Sequence, residues 1–195
     1  TRQIFNLPIL EPPFLGRERE LEDLTNKIRS PANRLISLIG PGGVGKTRLA
    51  VQFASHAAEY FPDGIFFVSC ASIEDPEYIP ILFADALKFN FYGPTNYNEQ
   101  LAKYLHHMHV LLIVDNIEHL RLEGAKLIAF LLSHSHFLKI LVTSRERLNL
   151  LSEVAIEVQG FPVPDPLSTE NAEFYSSVRL FLQNAQKVHP RFANQ

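Results

Sequence analysis

Apolar and polar residues follow two alternating patterns along this chain. Short, mostly apolar runs, of which the central ones are continuously apolar, are separated by longer stretches in which apolar residues recur every three or four positions. The runs are typical of strands buried on both faces of a sheet, and the stretches are typical of amphipathic helices. The runs predict strands at 35 to 39, 65 to 70, 110 to 115, 138 to 143 and 153 to 158. The stretches predict helices at 18 to 29, 46 to 60, 76 to 89, 97 to 107, 121 to 133 and 168 to 187.

This alternation predicts an α/β fold in which parallel strands are joined by crossover helices. The last predicted strand is followed by prolines at alternate positions, Pro162, Pro164 and Pro166. Proline lacks the backbone N–H that helices and central strands need, so the pattern indicates an extended linker. We therefore predict a first domain over 1 to 160, a linker over 161 to 167, and the start of a truncated helical subdomain over 168 to 195. Its helix is expected to begin at Ser168 or Thr169.

Composition and charge narrow the class of protein. The chain has 195 residues, of which 46% are hydrophobic, enough to bury a full core. Its 18 basic and 21 acidic side chains nearly cancel, so no overall field attracts nucleic acid or an anionic membrane. Cys70 is the single cysteine, and no signal peptide or long apolar span is visible. We expect a cytoplasmic protein that binds neither nucleic acid nor membrane directly, with Cys70 as a core residue.

The strongest chemical signal lies between the first predicted strand and the second predicted helix. Residues 40 to 47 read GPGGVGKT, which fits the phosphate-binding pattern G-x-x-x-x-G-K-[ST]. Glycines let the backbone N–H groups turn toward a phosphate at the positive end of the helix. Lys46 is expected to reach the β- and γ-phosphates, and the Thr47 hydroxyl to ligate Mg²⁺. The predicted nucleotide contacts of this loop are Pro41, Gly42, Gly43, Val44, Gly45, Lys46, Thr47 and Arg48.

An acidic signal follows the third predicted strand. Asp115 ends the run VLLIVD, which has the form of a Walker B element, and is expected to hold Mg²⁺. A strand that ends by chance in a turn-forming Asp-Asn pair is the alternative, and the complete phosphate loop favours Walker B. Glu118 is the nearest carboxylate that could polarise an attacking water, whereas Asn116 could orient that water but cannot accept its proton. His119 fits a capping or packing role at least as well as a role in hydrolysis.

The fourth predicted strand ends in hydroxyl residues and an arginine. Ligands of α/β sheets bind beyond the carboxyl ends of the strands, so Arg145 is expected to face the phosphates. Its guanidinium could bind the γ-phosphate and distinguish a triphosphate from a diphosphate. The alternative is a surface arginine balanced by Glu146. The candidate catalytic residues are Lys46, Asp115, Glu118 and Arg145.

In this order, the motifs resemble those of the nucleotide-binding domain of the STAND class of signal-transduction ATPases, close to the NB-ARC group. More narrowly, the chain resembles the ATPase modules of large bacterial transcriptional regulators. The motifs are FLGRE at 14 to 18, GPGGVGKT at 40 to 47, YFPDG at 60 to 64, VDNIEH at 114 to 119 and VTSRE at 142 to 146.

The resemblance implies a P-loop NTPase fold over 1 to 160. In that fold a mostly parallel five-stranded sheet forms the middle layer of a three-layer sandwich. The strand ending at Thr143 is expected to lie between the phosphate-loop strand and the Asp115 strand. The resemblance also implies that Gly16 and Arg17 form a turn against the adenine and ribose.

The resemblance further implies an ATP/ADP-binding switch within a larger signalling or transcriptional regulator, with weak Mg²⁺-dependent ATP hydrolysis. Its partners would be a helical lid, a winged helix, and sensor and output domains of the same protein, which could self-associate in a nucleotide-dependent way. The chain departs from many relatives at Asn116, where they carry a second acid, so Glu118 substitutes or hydrolysis is slow. The alternatives are a P-loop small-molecule kinase or transferase, which needs an acceptor pocket, and a nucleic-acid-dependent ATPase, which needs a basic strip.

Overall fold

The elements of the structure follow the predicted alternation of strands and helices. The computed structural model describes residues 6–10, 14–93, 96–165 and 172–189. Within these residues the strands are β1 Leu35–Ile39, β2 Gly64–Ser69, β3 Val110–Asp115, β4 Lys139–Ser144 and β5 Glu153–Glu157. The α-helices are α1 Glu18–Arg29, α2 Lys46–His56, α3 Ile79–Ala86, α4 Tyr97–Leu105, α5 Arg121–His134 and α6 Ser176–Val188. Short 3₁₀ turns lie at Ala58–Tyr60, Pro76–Tyr78, Glu118–Leu120 and Ala172–Phe174.

The strands form a sheet in the order β2-β3-β4-β1-β5, and its pairings are parallel. β4 therefore lies between β1 and β3, as the resemblance implies. In this register Ile39 pairs with Ser144, and Asp115 pairs with Thr143. Because parallel strands end at the same edge of a sheet, the loops that follow β1, β3 and β4 meet there. This edge carries the residues predicted to bind phosphate.

Helices cover both faces of the sheet, which confirms the three-layer α/β sandwich. On one face, Leu111 and Ile113 of β3 pack in a cluster with residues of α1 and α2, including Phe53. On the other face, Leu112 and Val114 pack in a cluster with residues of α3, α4 and α5. Successive strand residues point to opposite faces, so a strand covered on both sides must be apolar throughout.

Cys70 lies in the second of these clusters, directly after β2. Its side chain is fully buried, and burial together with the nearby Asp115 charge raises the pKa of the thiol to about 12. The thiol is therefore protonated at neutral pH and is a poor nucleophile. The prediction of a core cysteine is confirmed.

Apart from the last helix, three predicted helices are longer than the α-helices in the structure. In the stretch 97 to 107, α4 ends at Leu105. In the stretch 46 to 60, α2 ends at His56 and a 3₁₀ turn covers the last three residues. In the stretch 76 to 89, α3 begins only at Ile79 and ends before Lys88, whose φ of 55° is left-handed and typical of a helix end. The spacing of apolar residues alone does not separate an α-helix from a 3₁₀ turn that continues it.

The last helix begins at Ser176, later than predicted. A 3₁₀ turn and an extended Tyr175 precede it. Ser168 and Thr169, the predicted start, lie outside the described residues. The described part of the predicted linker, 161 to 165, contains neither helix nor strand. The domain division at residue 160 stays a prediction.

Among the described residues, the α-helices are too short or too polar to cross a membrane.

Candidate nucleotide-binding site

The loop between β1 and α2 adopts a backbone conformation that glycine takes readily and other residues do not. Gly43 and Gly45 have φ values of 80° and 95°, and Gly45 is the N-cap of α2. A side chain at either position would be strained although its Cβ would meet nothing within 4 Å. At Gly40 an added Cβ would lie 2.3 Å from the carbonyl oxygen of Val158, which follows β5. The loop is therefore packed against the end of β5 at its start and open to ligand at its tip.

Lys46 begins α2, and its ammonium lies on the loop itself. Nζ donates hydrogen bonds to the carbonyl oxygens of Gly40 at 2.8 Å and Pro41 at 2.9 Å. Partial burial lowers the pKa of Lys46, and the charge of Arg145 lowers it further, while Glu118 opposes both effects. Lys46 is thus the cation at the base of the loop, as its position in the motif predicts.

Two hydroxyl side chains from separate elements meet at the Asp115 carboxylate. The hydroxyls of Thr47 and Thr143 both donate to Asp115 Oδ1, each at 2.6 Å. The backbone N–H of Asn116 donates to the Thr143 hydroxyl at 3.1 Å. The structure therefore brings together Thr47 and Asp115, the two residues predicted to ligate Mg²⁺. Their oxygen atoms are the ligand type that this hard cation prefers, so these residues fit it.

The predicted base and the predicted phosphate-reading arginine form an ion pair. Arg145 Nε lies 3.0 Å from Glu118 Oε1, and the arginine side chain is 69% exposed against 18% for the glutamate. An added Cβ on Gly42 would lie 3.7 Å from the Arg145 guanidinium. The guanidinium therefore lies beside the phosphate loop, with Glu118 as its partner.

These residues line a polar cavity of about 320 Å³ at the carboxyl edge of the sheet. The cavity combines the tip of the phosphate loop with side chains that follow β3 and β4. Its lining residues are Gly42, Gly43, Gly45, Lys46, Thr47, Arg48, Asn116, Glu118, Thr143 and Arg145. Their chemistry suits an anionic group such as a phosphate chain.

A second cavity, of about 370 Å³, lies on the other side of the phosphate loop and is mostly apolar. It shares Gly42, Gly43, Gly45 and Arg48 with the polar cavity. The loop is therefore the wall between a polar and an apolar space, each within the size range of small-molecule sites. Its other lining residues are Phe14, Leu15, Arg17, Val44, Gly160, Phe161 and Leu180.

Arg17 joins the segments that surround this apolar cavity. Its side chain is buried and donates to Glu20, to the Val44 carbonyl at 3.0 Å and to the Gln159 carbonyl at 2.6 Å. Its guanidinium also lies over the ring of Phe161, 4.3 Å from the ring centre. Arg17 thus connects the start of α1, the phosphate loop and the segment that follows β5.

Gly16 lies against the start of α6. Its φ is 66°, and an added Cβ would lie 2.2 Å from the Ser176 hydroxyl oxygen. The predicted turn at Gly16 and Arg17 is therefore also the point at which the last described helix packs onto the sheet domain.

A known protein family matches most of this chain. The model of the AAA ATPase domain family matches residues 13 to 143. This chain belongs to the AAA ATPase domain family.

Curated relatives of this AAA ATPase domain include named regulators. A candidate HTH-type transcriptional regulator of Mycobacterium tuberculosis is 34% identical over 160 residues, which cover 82% of this chain and 17% of the relative. The regulatory protein AfsR of Streptomyces griseus is 31% identical over 153 residues, which cover 73% of this chain and 15% of AfsR. This AAA ATPase domain therefore spans 17% or less of the length of these two relatives.

Two solved structures share the fold of this AAA ATPase domain. One is a Signal Transduction ATPase with Numerous Domains (STAND) protein from Pyrococcus horikoshii that has a tetratricopeptide repeat sensor. It has a TM-score of 0.51 at 22% identity, over 76% of this chain and 24% of that chain. The other is Cdc6p from Pyrobaculum aerophilum, with a TM-score of 0.54 at 14% identity, over 78% of this chain and 46% of that chain. Both likenesses show a shared fold.

Most of the predicted site residues of this AAA ATPase domain line the two adjoining cavities, whereas Gly16, Pro41 and Asp115 line neither of them. Sequence reasoning missed Thr143 as a partner of Asp115, and it missed Phe161 and Leu180 as walls of the apolar cavity. The signal for Thr143 was its place at the end of an apolar strand beside the Asp115 strand. Phe161 lies in the proline-rich segment that sequence reasoning treated only as a linker.

Proposed function

We propose that this AAA ATPase domain binds ATP and ADP across its two cavities and hydrolyses ATP weakly with Mg²⁺. In this proposal the domain is the nucleotide switch of a larger signalling or transcriptional regulator. The observation that carries the proposal is the polar cavity adjoining the apolar one, with the tip of the phosphate loop as their shared wall. A nucleotide has a similar division, because its anionic phosphate chain is joined through the ribose to a base with flat aromatic faces.

The polar cavity supplies the groups that phosphates require. The backbone N–H groups at the start of α2 and the Lys46 ammonium would bind the phosphate oxygens. Thr47 and Asp115 would hold Mg²⁺, which when bound neutralises charge on the phosphate chain. The Thr143 hydroxyl fixes one carboxylate oxygen of Asp115, so the carboxylate keeps its orientation toward Thr47.

Glu118 is the proposed general base. It is the carboxylate among the residues that line the polar cavity, and it would accept a proton from an attacking water. One of its oxygens forms an ion pair with the guanidinium of Arg145. A base whose oxygen is already engaged is a slow base, which supports weak rather than rapid hydrolysis.

The apolar cavity supports the switch role. Gly16 and Arg17 are proposed to lie against the base and ribose there, and Phe161 and Leu180 come from beyond the last strand. A ligand in this cavity would contact both the sheet domain and the segment that leads onward in the chain. Occupancy of this cavity would therefore alter how the following domains of a regulator pack. The named relatives, one an HTH-type transcriptional regulator and the other a regulatory protein, are several times longer than this chain and support that setting.

The switch is tested by dissociation constants for ADP and for a non-hydrolysable ATP analogue, with Mg²⁺ present. Both are measured on this chain and on a longer chain that continues into the next subdomain. We expect the extension to increase the affinity for ADP more than the affinity for the triphosphate. A switch that rests with ADP bound must bind ADP preferentially in its closed form. Equal tightening of both would contradict the switch and leave a plain ATPase. Release of phosphate from ATP with no acceptor molecule present would distinguish both a switch and a plain ATPase from a kinase.

A further inference from the structure

Glu118 is a fixed negative charge in a cavity suited to anions. It begins a 3₁₀ turn directly after β3, and the flanking Ile117 and Leu120 are buried, so its backbone is firmly placed. Its carboxylate shares the cavity lining with Lys46, Arg48 and Arg145. The carboxylate therefore occupies, for Arg145, the role that a phosphate oxygen would take.

Arg145 is the more exposed member of the Glu118 pair. Its side chain is 69% exposed and follows β4, whereas the glutamate side chain is 18% exposed. The guanidinium also lies beside Gly42 at the tip of the phosphate loop. A carboxylate and a phosphate present similar charged oxygens to a guanidinium, so the two compete for the same donors.

We propose that Glu118 sets the preference between diphosphate and triphosphate by competing with the γ-phosphate for Arg145. This inference rests on the proposed function, in which the phosphate loop binds the nucleotide. ADP leaves the Glu118–Arg145 pair intact. A triphosphate must break that pair before Arg145 can bind the γ-phosphate. The pair therefore lowers the affinity for the triphosphate alone and favours the ADP-bound state.

The expected effect is modest because one partner of the pair is largely exposed. Ion pairs of this kind correspond to about a two- to fivefold change in an equilibrium constant. Glu118→Gln keeps the shape of the side chain and removes its charge. It should therefore increase the affinity for the triphosphate about two- to fivefold relative to the affinity for ADP. Glu118 acts here through Arg145 and is a positioning residue in this role, separate from its proposed role as base.

A double-mutant cycle tests the inference. Dissociation constants for ADP and for a non-hydrolysable ATP analogue are measured with Mg²⁺ on the wild type, Glu118→Gln, Arg145→Gln and the double variant. The cycle isolates the coupling between the two side chains. We expect the Glu118→Gln shift in the ratio of the two constants to appear with Arg145 present and to vanish in the Arg145→Gln background.

Two results would overturn the inference. One is an unchanged ratio in Glu118→Gln. The other is the same shift with and without Arg145, because removal of any nearby negative charge would then explain it. Failure of the proposed function is distinguishable, since the wild type would then bind neither nucleotide. Chemical denaturation of each variant establishes that the compared proteins are equally folded.

Discussion

At the residue scale, the orientation of Asp115 depends on hydroxyl groups from two different elements. Thr47 begins α2 and Thr143 lies in β4, and both donate to the same carboxylate oxygen. The hydroxyl and the carboxylate that we propose as Mg²⁺ ligands are therefore already in contact. A change at Asp115 should act on the metal-dependent part of nucleotide binding.

We predict that Asp115→Ala eliminates the increase in triphosphate affinity that Mg²⁺ causes. The substitution removes the carboxylate, and Thr47 alone does not replace a charged oxygen ligand. The measurement is the dissociation constant of a non-hydrolysable ATP analogue with Mg²⁺ and with a chelator. Asp85→Ala, which removes an exposed carboxylate from α3, is the control and should keep the wild-type response. A full Mg²⁺ response in Asp115→Ala would exclude this residue from the metal site.

Some site residues could be predicted from sequence and others could not, for a physical reason. Lys46 and Thr47 belong to one short motif, and Asp115 ends a run that is apolar up to its last residue. The contacts of Thr143 with Asp115 and of Arg145 with Glu118 join side chains from different strands. Those contacts depend on strand order and register, which no local pattern contains.

At the element scale, the strands could be predicted to within one residue at each end. The inner strands β1, β3 and β4 are covered on both faces and are largely apolar, so their ends nearly coincide with the ends of the apolar runs. Helices were harder, because 3₁₀ turns extend the same spacing at the end of α2 and before α3. The position of β4 between β1 and β3 came from the family resemblance and not from periodicity, and the positions of β2 and β5 were not predicted. The position of α6 against Gly16 had no sequence signal.

We predict that Gly16→Ala destabilises the fold and loosens α6. Alanine at a φ of 66° costs about 1–2 kcal/mol of folding free energy, and its Cβ would also displace Ser176. Gly93→Ala is the matched control, because Gly93 has a φ of 64° and a Cβ there would meet nothing within 4 Å.

Chemical denaturation and amide hydrogen exchange compare these two variants. Both variants should have a lower free energy of unfolding than the wild type, and the decrease should be larger for Gly16→Ala. Faster exchange within α6 is expected for Gly16→Ala and not for Gly93→Ala. The contact between Gly16 and α6 would be refuted if the two variants lost equal stability and α6 exchanged at the same rate in both.

At the scale of the whole molecule, the phosphate loop is the element that every part of the site shares. It separates the two cavities, carries Lys46 and Thr47, and is bonded through Val44 to Arg17. Arg17 in turn contacts Gln159 and Phe161 beyond the last strand. A nucleotide bound at this loop would therefore contact the sheet, the segment after β5 and α6 together.

The central claim is that this loop binds the phosphates of a nucleotide, and calorimetric titration with a non-hydrolysable ATP analogue tests it most directly. Three proteins are compared: the wild type, Lys46→Ala, and Lys103→Ala as the control, because Lys103 is an exposed lysine of α4 that lines neither cavity. We predict that Lys46→Ala loses binding while its free energy of unfolding stays within about 0.5 kcal/mol of the wild type, since a loop-facing cation is removed and no core side chain. Lys103→Ala should bind as the wild type does. Wild-type affinity in a folded Lys46→Ala protein would contradict the account.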